Sequence, residues 1–255
     1  MNNSTELARN IEGLKNAKNL KQKSTDWINE SAKYKYSYNF SWLGRRAIQF
    51  PNDTWAMQEL IWDIKPDLII ETGIAHGGSL IFSASMLALL DYTDAVHNKT
   101  ILDPKKSKRK VIGIDIDIRD HNRDLINAHP LSHKIEMIQG SSIAKEVVEE
   151  VHQKAEGFGT ILVCLDSNHT HDHVLEELEA YSNLVSINSY LVVFDTVIEY
   201  MDEASFSDRP WGVGNNPKTA VDKFIAGNTN FEIDYDIDAK LQISVAPSGF
   251  LKRKK

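Results

Sequence analysis

The chain has 255 residues, 42% of them apolar, and a net charge of −7 that argues against nucleic acid as the main partner. This length can bury one large core, while no apolar run approaches the ~20 residues of a membrane span. The N-terminus lacks the apolar segment of a secretory signal and the single cysteine excludes a disulfide framework, so we expect a cytoplasmic protein.

Residues 1–50 are predicted to form an N-terminal extension that is first polar and helical and then rich in aromatic residues. Aromatic side chains at this density typically pack onto the core or onto a second subunit, so we expect a homo-oligomer. Residues 51–67 have apolar residues at helical spacing, with Asp53 as the expected N-cap and Pro66 as the stop signal. They open the main domain, which we place at residues 51–250.

Strand and helix patterns alternate along this main domain. Apolar runs typical of buried strands occupy residues 67–72, 110–117, 134–140, 160–166 and 189–195. Helical spacing of apolar residues occupies residues 77–90, 123–129, 141–155, 174–184 and 218–227. This alternation predicts an α/β fold with a doubly wound, mostly parallel sheet. Two closing strands, residues 231–237 and 240–246, predict an antiparallel hairpin at its edge.

Two clusters of lysine and arginine run against the acidic balance of the chain. The first lies at residues 105–110 and the second at residues 252–255. Because runs of like charge are usually solvated, we interpret the first as part of a loop and the second as a basic tail over residues 251–255.

Carboxylates stand at or beside the ends of four predicted strands. They are Glu71, Asp115, Asp166 and Asp195, while the remaining parallel strand ends on Gly140. Ligands of open α/β sheets bind beyond the carboxyl ends of the strands. We therefore expect these acids to lie around one site.

The stretch "ETGIAHGGS" links the first strand of the sheet to a helix. Its glycines allow a ligand to approach the backbone, and the helix N-terminus favours an anionic group, to which Ser79 can donate. The spacing is neither G-x-G-x-x-G nor that of a P-loop, so neither a dinucleotide-binding fingerprint nor a P-loop is supported. An acid at the end of the next strand, Asp115, usually accepts from ribose hydroxyls. Together these features predict a ligand with an adenosine ribose and a small zwitterionic tail.

Several segments resemble one known family. They are "PDLIIETGIAHGGS", "VIGIDID", "LDSNHTHDHVLEELEAYSNLV", "NSYLVVFDTVIE" and "RPWGVGNNPKTAVDKFI". From about Trp42 to Phe224 the chain is similar to the cephalosporin hydroxylase / rhamnosyl O-methyltransferase family. This family is a branch of the class I S-adenosylmethionine-dependent methyltransferases. The resemblance implies a seven-stranded Rossmann-like sheet with a reversed last strand and S-adenosylmethionine as cofactor.

The resemblance also implies the residues that bind the cofactor. Glu71, Gly73 and Gly77 would shape the pocket for its methionine part, with Ser79 holding the carboxylate. Asp115 would accept from the ribose hydroxyls. Gly140, Ser141 and Ser142 would flank the adenine, and Asp166 would lie next to the reacting group.

A metal site is implied at the ends of the fourth and fifth parallel strands. In related magnesium-dependent O-methyltransferases these ends carry oxygen ligands, here Asp166, Asp195 and Thr196. Such ligands suit Mg²⁺, which lowers the pKa of an acceptor hydroxyl. The family often has glutamate where this chain has Phe194, so one acid of the family pattern is absent.

The segment "DSNHTHDH" supplies three histidines close to the predicted metal site. His169 matches the position of a catalytic lysine in catechol-type enzymes and is the expected general base, acting with Asp166. Alternatively, His169, His171 and His173 form an imidazole metal site, or the latter two cap the next helix. The glycine-rich loop at residues 209–217 is typical of lids, and Trp211 and Asn216 are candidate substrate contacts.

The predicted function is an S-adenosylmethionine-dependent O-methyltransferase acting on a hydroxyl of a sugar or other small molecule. A protein that binds S-adenosylmethionine without catalysis is an alternative, because of Phe194. An iron- and 2-oxoglutarate-dependent hydroxylase is a second alternative, but it requires a β-barrel and a His-x-Asp motif that this chain lacks.

Overall fold

The computed structural model describes residues 3–255, so Met1 and Asn2 of the predicted extension lie outside the described residues. The helices are α1 Asn3–Lys15, α2 Lys18–Ala32, α3 Pro51–Ile64, α4 Gly78–Asn98, α5 Asp120–Asn127, α6 Lys145–Ala155, α7 His171–Tyr181, α8 Pro217–Gly227 and α9 Tyr235–Leu241. The strands are β1 Phe40–Trp42, β2 Arg45–Ala47, β3 Leu68–Thr72, β4 Lys110–Asp115, β5 Ile135–Gln139, β6 Ile161–Leu165, β7 Tyr190–Val193, β8 Phe231–Ile233 and β9 Phe250–Arg253.

A seven-stranded sheet with the order β5-β4-β3-β6-β7-β9-β8 forms the centre of the molecule. The strands from β5 to β7 are parallel, and β9 is antiparallel to both of its neighbours. Every residue of β3, β6 and β7 is buried, because helices cover both faces of the sheet. The predicted doubly wound, mostly parallel fold with a reversed last strand is confirmed.

The N-terminal segment contains the predicted helices and also a β-hairpin that the sequence did not predict. Strands β1 and β2 pair across a tight turn in which Leu43 and Gly44 both have positive φ. Before the hairpin, Trp27 and Tyr36 pack edge to face with ring centroids 4.9 Å apart. The ring of Phe50 lies 5.7 Å from that of Tyr36 and is buried in the core. These aromatic residues therefore pack within the chain, and the homo-oligomer and the domain boundary at residue 50 stay predictions.

The helix α3 begins differently from the prediction. Its N-cap is Phe50, and Asp53 lies inside the first turn, fully buried. The Asp53 carboxylate accepts hydrogen bonds from Ser244 Oγ at 2.5 Å and from the backbone N–H of Val245 at 3.0 Å. Burial raises the pKa of Asp53 to about 7. This acid therefore fastens the C-terminal loop to α3 instead of capping the helix.

The predicted strand over residues 240–246 and the predicted basic tail are both wrong. Residues 235–241 form α9, which ends where Gln242 has a positive φ of +61°. The reversed strand is β9, which includes residues of the supposed tail because Phe250 and Leu251 are fully buried between β7 and β8. At its end, Arg253 donates to the backbone carbonyl of Asn183 at 3.0 Å.

Helix α4 extends eight residues beyond its predicted end at residue 90. Two acids of its C-terminal part neutralise one residue of the basic cluster at 105–110. Arg109 forms ion pairs with Asp91 and Asp94, each at 2.8 Å. Lys134, which is almost fully buried, also bonds Asp91. By length and composition alone α4 could cross a membrane, but half of its apolar window is buried in the core, as is common for a core helix.

Candidate functional site

The bend between β3 and α4 is shaped by glycines. Gly73 and Gly77 have φ values of +89° and +79°, a region that favours glycine. A Cβ at Gly73 would overlap the backbone carbonyl of Asp166, and one at Gly77 would overlap the side chain of Ile126. The bend is thus pressed against the end of β6, where its backbone faces a cleft.

Asp115, at the end of β4, holds this bend in place. One carboxylate oxygen accepts from the backbone N–H groups of Ile74 and Ala75 at 2.8 and 3.1 Å, and the other accepts from Asp117 N at 3.0 Å. A carboxylate has about four acceptor positions, so Asp115 can still accept from a ligand hydroxyl. Asp115 therefore keeps an acceptor position for the predicted contact with ribose, which stays a prediction.

Glu71, near the end of β3, is a buried carboxyl without a cationic partner among residues 3–255. Only 4% of it is exposed, and its one hydrogen bond comes from the Ser79 hydroxyl. Burial raises the pKa of Glu71 to about 7, while the hydrogen bond from Ser79 opposes that rise. A ligand with an ammonium group would supply the missing positive charge.

Asp166, His169 and Asp195 form a cluster whose potential ligand atoms all lie within 4.8 Å of one another. His169 Nε2 is 3.1 Å from an oxygen of Asp195 and 3.8 Å from an oxygen of Asp166. Burial, and then the nearby Asp195 carboxylate, raise the pKa of Asp166 well above its usual range. Two carboxylates and an imidazole fit a divalent cation, which would offset their mutual repulsion.

Thr196 does not join this cluster, so its predicted role as a metal ligand is wrong. Asp195 adopts a left-handed conformation with φ of +56°, and Thr196 after it does not line the cleft, although Val197 and Ile198 do. The Thr196 side chain is fully buried and its hydroxyl donates to the carbonyl of Pro247 at 2.7 Å. His169 is the third member of the cluster. From the sequence alone, His169 was expected to act as the general base or to join a metal site of three imidazoles.

The other two histidines lie in separate places, so the alternative of a three-imidazole metal site is wrong. His171 Nδ1 is 2.8 Å from Thr219 Oγ1 on α8, outside the cluster. His173 Nε2 is 3.0 Å from Ser142 Oγ, after β5. Neither side chain caps α7, whose N-cap is Thr170; the Thr170 hydroxyl donates to Asn168 Oδ1 at 2.8 Å and makes no capping hydrogen bond.

A buried polar network lies under the predicted adenine site. His173 Nε2 is 3.2 Å from Ser167 Oγ, which donates to the fully buried Glu177 at 2.6 Å. Since His173 also contacts Ser142, the network ties the end of β5 to the end of β6. Sequence reasoning missed Ser167 and Glu177; the spacing of four residues between His173 and Glu177 on one helix was the available signal.

The two predicted substrate residues differ in their placement. The Trp211 ring packs against that of His169, with centroids 4.8 Å apart, and lies at the cleft. Asn216 is fully buried and caps α8, accepting from the backbone of Lys218 and Thr219. Its amide nitrogen donates to Glu199 at 2.5 Å and to the carbonyl of Gly212 at 2.8 Å, so the amide has no capacity left for a substrate and the prediction for Asn216 is wrong.

A cleft of about 740 Å³ joins most of these groups. It is lined by the bend, by Asp166, His169, Asp195 and Trp211, and by the N-terminal segment, which sequence reasoning had left out of the site. Asp115, Ser141 and Ser142 do not line this cleft. Asp115 is the last residue of β4 and the two serines follow β5, farther along the same edge of the sheet.

The comparisons with known proteins agree with this architecture. The sequence model of the rhamnosyl O-methyltransferase/CmcI family matches residues 34–254. The chain belongs to this family. A rhamnosyl O-methyltransferase of Mycobacterium leprae (strain TN) is 27% identical over 244 residues, which cover 90% of this chain and 92% of that protein. One of Mycobacterium tuberculosis (strain ATCC 25618 / H37Rv) is 26% identical over 224 residues, covering 84% and 78%.

Two solved structures share the fold with this chain. The structure titled "cmcI-D160 Mg-SAM" has a TM-score of 0.56 and 18% identity, and the match covers 86% of this chain and 78% of that one. An O-methyltransferase from Bacillus cereus in complex with SAH has a TM-score of 0.52 and 15% identity, with 84% and 82% covered. The predicted family and its enzyme class, a methyltransferase, are confirmed. The β-barrel that an iron- and 2-oxoglutarate-dependent hydroxylase requires is not the fold of residues 3–255.

Proposed function

We propose that this protein is a cytoplasmic S-adenosylmethionine-dependent O-methyltransferase that methylates a hydroxyl of a sugar or sugar-bearing small molecule. One observation carries the proposal: in a chain of this family, the glycine bend and the Asp166–His169–Asp195 cluster meet at one cleft, and Glu71, which accepts from Ser79 of that cleft, lines the cavity next to it. The names of the mycobacterial relatives support a rhamnosyl acceptor, and the titles of the similar structures support S-adenosylmethionine. Self-association into a homo-oligomer is part of the proposal.

The bend and Glu71 bind the methionine part of the cofactor. Glu71, which has no cationic partner among residues 3–255, would hold the ammonium group. The N-terminus of α4 would hold the cofactor's carboxylate, because unpaired backbone N–H groups and the helix dipole favour an anion there. Asp115 accepts from the ribose hydroxyls, with Ser141 and Ser142 beside the adenine.

His169 removes the proton during methyl transfer. The acceptor oxygen forms a bond to the methyl carbon as the bond between that carbon and sulfur breaks, and S-adenosylhomocysteine leaves. The hydroxyl proton goes to His169 Nε2, whose ring Trp211 keeps in place at the cleft. Asp166 and Asp195 would hold Mg²⁺, which lowers the pKa of a hydroxyl when bound. Because Nε2 cannot bind a metal and a proton together, we assign the metal to the two carboxylates.

Labelled S-adenosylmethionine offered with a series of glycosides, rhamnosides first, tests the activity. We expect His169→Gln to lower methyl transfer by at least about 100-fold, the usual effect of losing a general base. Its affinity for S-adenosylhomocysteine, measured by calorimetry, should stay within about twofold, since the bend is unchanged. His171→Gln is the matched control, because that ring bonds Thr219 outside the cluster.

Full activity of the His169 variant would show that another group takes the proton. Binding of S-adenosylhomocysteine without transfer to any acceptor would favour the alternative of a non-catalytic cofactor-binding protein. A specific observation supports that alternative: the Thr196 hydroxyl bonds Pro247, which leaves two carboxylates for the cation at a place where the resemblance implies a further acid instead of Phe194. Loss of cofactor binding altogether would overturn both functions.

A further inference from the structure

The β1–β2 hairpin of the N-terminal segment is fixed to the elements around the glycine bend. At the tip of the hairpin, the carbonyl of Leu43 lies 3.1 Å from His129 Nε2, just after α5. Since His129 Nδ1 accepts from the backbone N–H of Leu131, Nε2 carries the proton and donates to this carbonyl. At the start of α4, Gly78 lies against β2, where a Cβ would overlap the carbonyl of Arg46. The hairpin and the end of the bend therefore pack backbone to backbone.

Arg45 of this hairpin reaches the bend itself. Its Nε donates to the backbone carbonyl of His76 at 3.0 Å, and its Nη2 donates to the same carbonyl. Nη2 also donates to Asn122 Oδ1 at 3.0 Å, and Nδ2 of this buried asparagine donates to the carbonyl of Ala75 at 3.0 Å. Arg45 thus holds two successive carbonyls of the bend, one directly and one through Asn122.

The bend is held from two sides. Asp115 accepts from the N–H groups of Ile74 and Ala75, whereas Arg45 and Asn122 bind the carbonyl side. Ala75 has a φ of +46°, a left-handed conformation that is unfavourable for a residue with a Cβ. Such a conformation persists only where its surroundings fix it. We therefore expect the bend to relax when the contacts on its carbonyl side are lost.

The direction of these carbonyls also sets the direction of N–H groups, because the C=O and N–H of one trans peptide group point in opposite directions. Fixing the carbonyl of Ala75 fixes the N–H of His76, a residue of the cleft wall whose N–H has no acceptor among the described residues. Arg45 forms no ion pair with a carboxylate in residues 3–255, so its positive charge at the bend is not neutralised. A fixed N–H group and a positive charge both favour an anionic group of a ligand.

We propose that Arg45 is a positioning residue for the cofactor. It acts through the backbone of Ala75 and His76, keeps the bend in the conformation that binds the methionine part of S-adenosylmethionine, and takes no part in proton transfer. The N-terminal hairpin is then part of the cofactor site, although its sequence suggested only packing or self-association. This inference rests on the proposed function, which assigns the bend to the cofactor.

Calorimetry with S-adenosylhomocysteine, together with methyl-transfer kinetics, separates binding from catalysis. Arg45→Ala should weaken binding at least about tenfold and raise the KM for S-adenosylmethionine in parallel, since it removes three hydrogen bonds from a charged donor. The kcat at saturating cofactor should stay within about threefold, because the Asp166–His169–Asp195 cluster is unchanged. Arg45→Lys keeps the charge but lacks the fork that bonds His76 and Asn122 together, so it should recover only part of the loss.

Arg253→Ala is the matched control, because this guanidinium also donates to backbone carbonyls, those of Asn183 and Val185, but at the opposite edge of the sheet. Its affinity for S-adenosylhomocysteine should stay within about twofold of the wild type, even where its melting temperature falls as far as that of Arg45→Ala. Hydrogen–deuterium exchange reports on the bend directly. Without ligand, peptides covering residues 73–78 should exchange at least about fivefold faster in Arg45→Ala than in the wild type or in Arg253→Ala.

Should Arg45→Ala fail to fold, Arg45→Lys should still bind S-adenosylhomocysteine about threefold more weakly than the wild type. Equal affinity of the wild type and the Arg45 variants, or a loss of kcat at saturating cofactor without a loss of affinity, would overturn the inference. An equal loss of affinity in Arg253→Ala would also overturn it, because the effect would then follow from stability in general. These results leave the proposed function standing, whereas no binding of S-adenosylhomocysteine by the wild-type protein would refute that function and the role of Arg45 with it.

Discussion

Replacement of Glu71 with glutamine tests whether a buried carboxyl sets the pH at which the cofactor binds. Glu71 is 4% exposed, accepts a hydrogen bond from Ser79, and has its pKa raised to about 7 by burial. In the free protein near pH 6 it is therefore mostly protonated. The ammonium group of the cofactor favours the ionised form, so binding at that pH should release a proton from Glu71.

The size of the effect follows from this pKa. Between pH 6 and pH 8 the ionised fraction of a group with a pKa of about 7 rises from about one-tenth to about nine-tenths. The affinity for S-adenosylhomocysteine should therefore rise about tenfold over this range, with about one proton released per molecule bound at pH 6 and almost none at pH 8. In Glu71→Gln this rise should disappear, although the amide still accepts from Ser79.

Calorimetry in two buffers of different ionisation enthalpy measures both the affinity and the number of protons released. Asp53→Asn is the control, because burial also raises the pKa of Asp53 to about 7, but its partners are Ser244 and Val245, away from the cofactor. It should keep the pH dependence of the wild-type protein. Titration of the ligand's own amino group is common to all three proteins and cancels in the comparison. The same pH dependence in Glu71→Gln as in the wild type would refute the reasoning.

The raised pKa of Glu71 also predicts how the free energy of unfolding depends on pH. Between about pH 4.5 and pH 7 the folded protein keeps a proton on Glu71 that the unfolded chain releases, so stability falls as the pH rises through this range. For a group that is almost fully buried the difference reaches about 3 kcal/mol above pH 7. Urea unfolding should show Glu71→Gln gaining stability over the wild type at pH 8 and little at pH 4.5, whereas an equal gain at both pH values would contradict the assigned pKa.

Three further substitutions follow from particular contacts. Gly73→Ala should abolish binding of S-adenosylhomocysteine and lower the melting temperature by several degrees, because its Cβ would overlap a carbonyl. Gly157→Ala, at a similar φ but in open space, should lose only about 1 kcal/mol by urea unfolding. Calorimetry should show that Asp195→Asn lowers the affinity for Mn²⁺ at least about tenfold and that Thr196→Val leaves it unchanged. The opposite result would show that Thr196, and not Asp195, is a metal ligand. Asp91→Asn should lose about 3 kcal/mol or more in urea unfolding, because Lys134 would stay buried without its counter-charge; a loss below 1 kcal/mol would contradict this.

Local patterns were sufficient where neighbours in sequence are also neighbours in the fold. The continuous apolar runs of β3, β6 and β7 predicted buried parallel strands, and the glycines between β3 and α4 predicted a tight bend. The resemblance to a family identified the fold and the enzyme class. These features depend on residues a few positions apart, or on a pattern that holds over most of the chain.

The wrong predictions involve partners that are distant in sequence. Asp53 has the appearance of an N-cap, but the backbone of Val245, 192 residues later, determines its role. Asn216 and Thr196 have side chains that suit a binding site, yet both make hydrogen bonds within the fold. Asn216 caps α8, and Thr196 donates to the carbonyl of Pro247. A sequence lists donors and acceptors without showing which of them are already paired.

The sequence by itself determined that this chain forms a doubly wound sheet with acids at the ends of its strands. The alternation of strand and helix patterns predicts the sheet, and the acids stand in the sequence where the strand patterns end. Only the tertiary structure decided that His169 joins Asp166 and Asp195, and that Phe194 faces an apolar cavity with Trp42. The reason is physical, because the direction of a side chain at a strand end depends on the local backbone conformation, such as the left-handed conformation of Asp195. It also depends on how elements that are distant in sequence pack around that strand end.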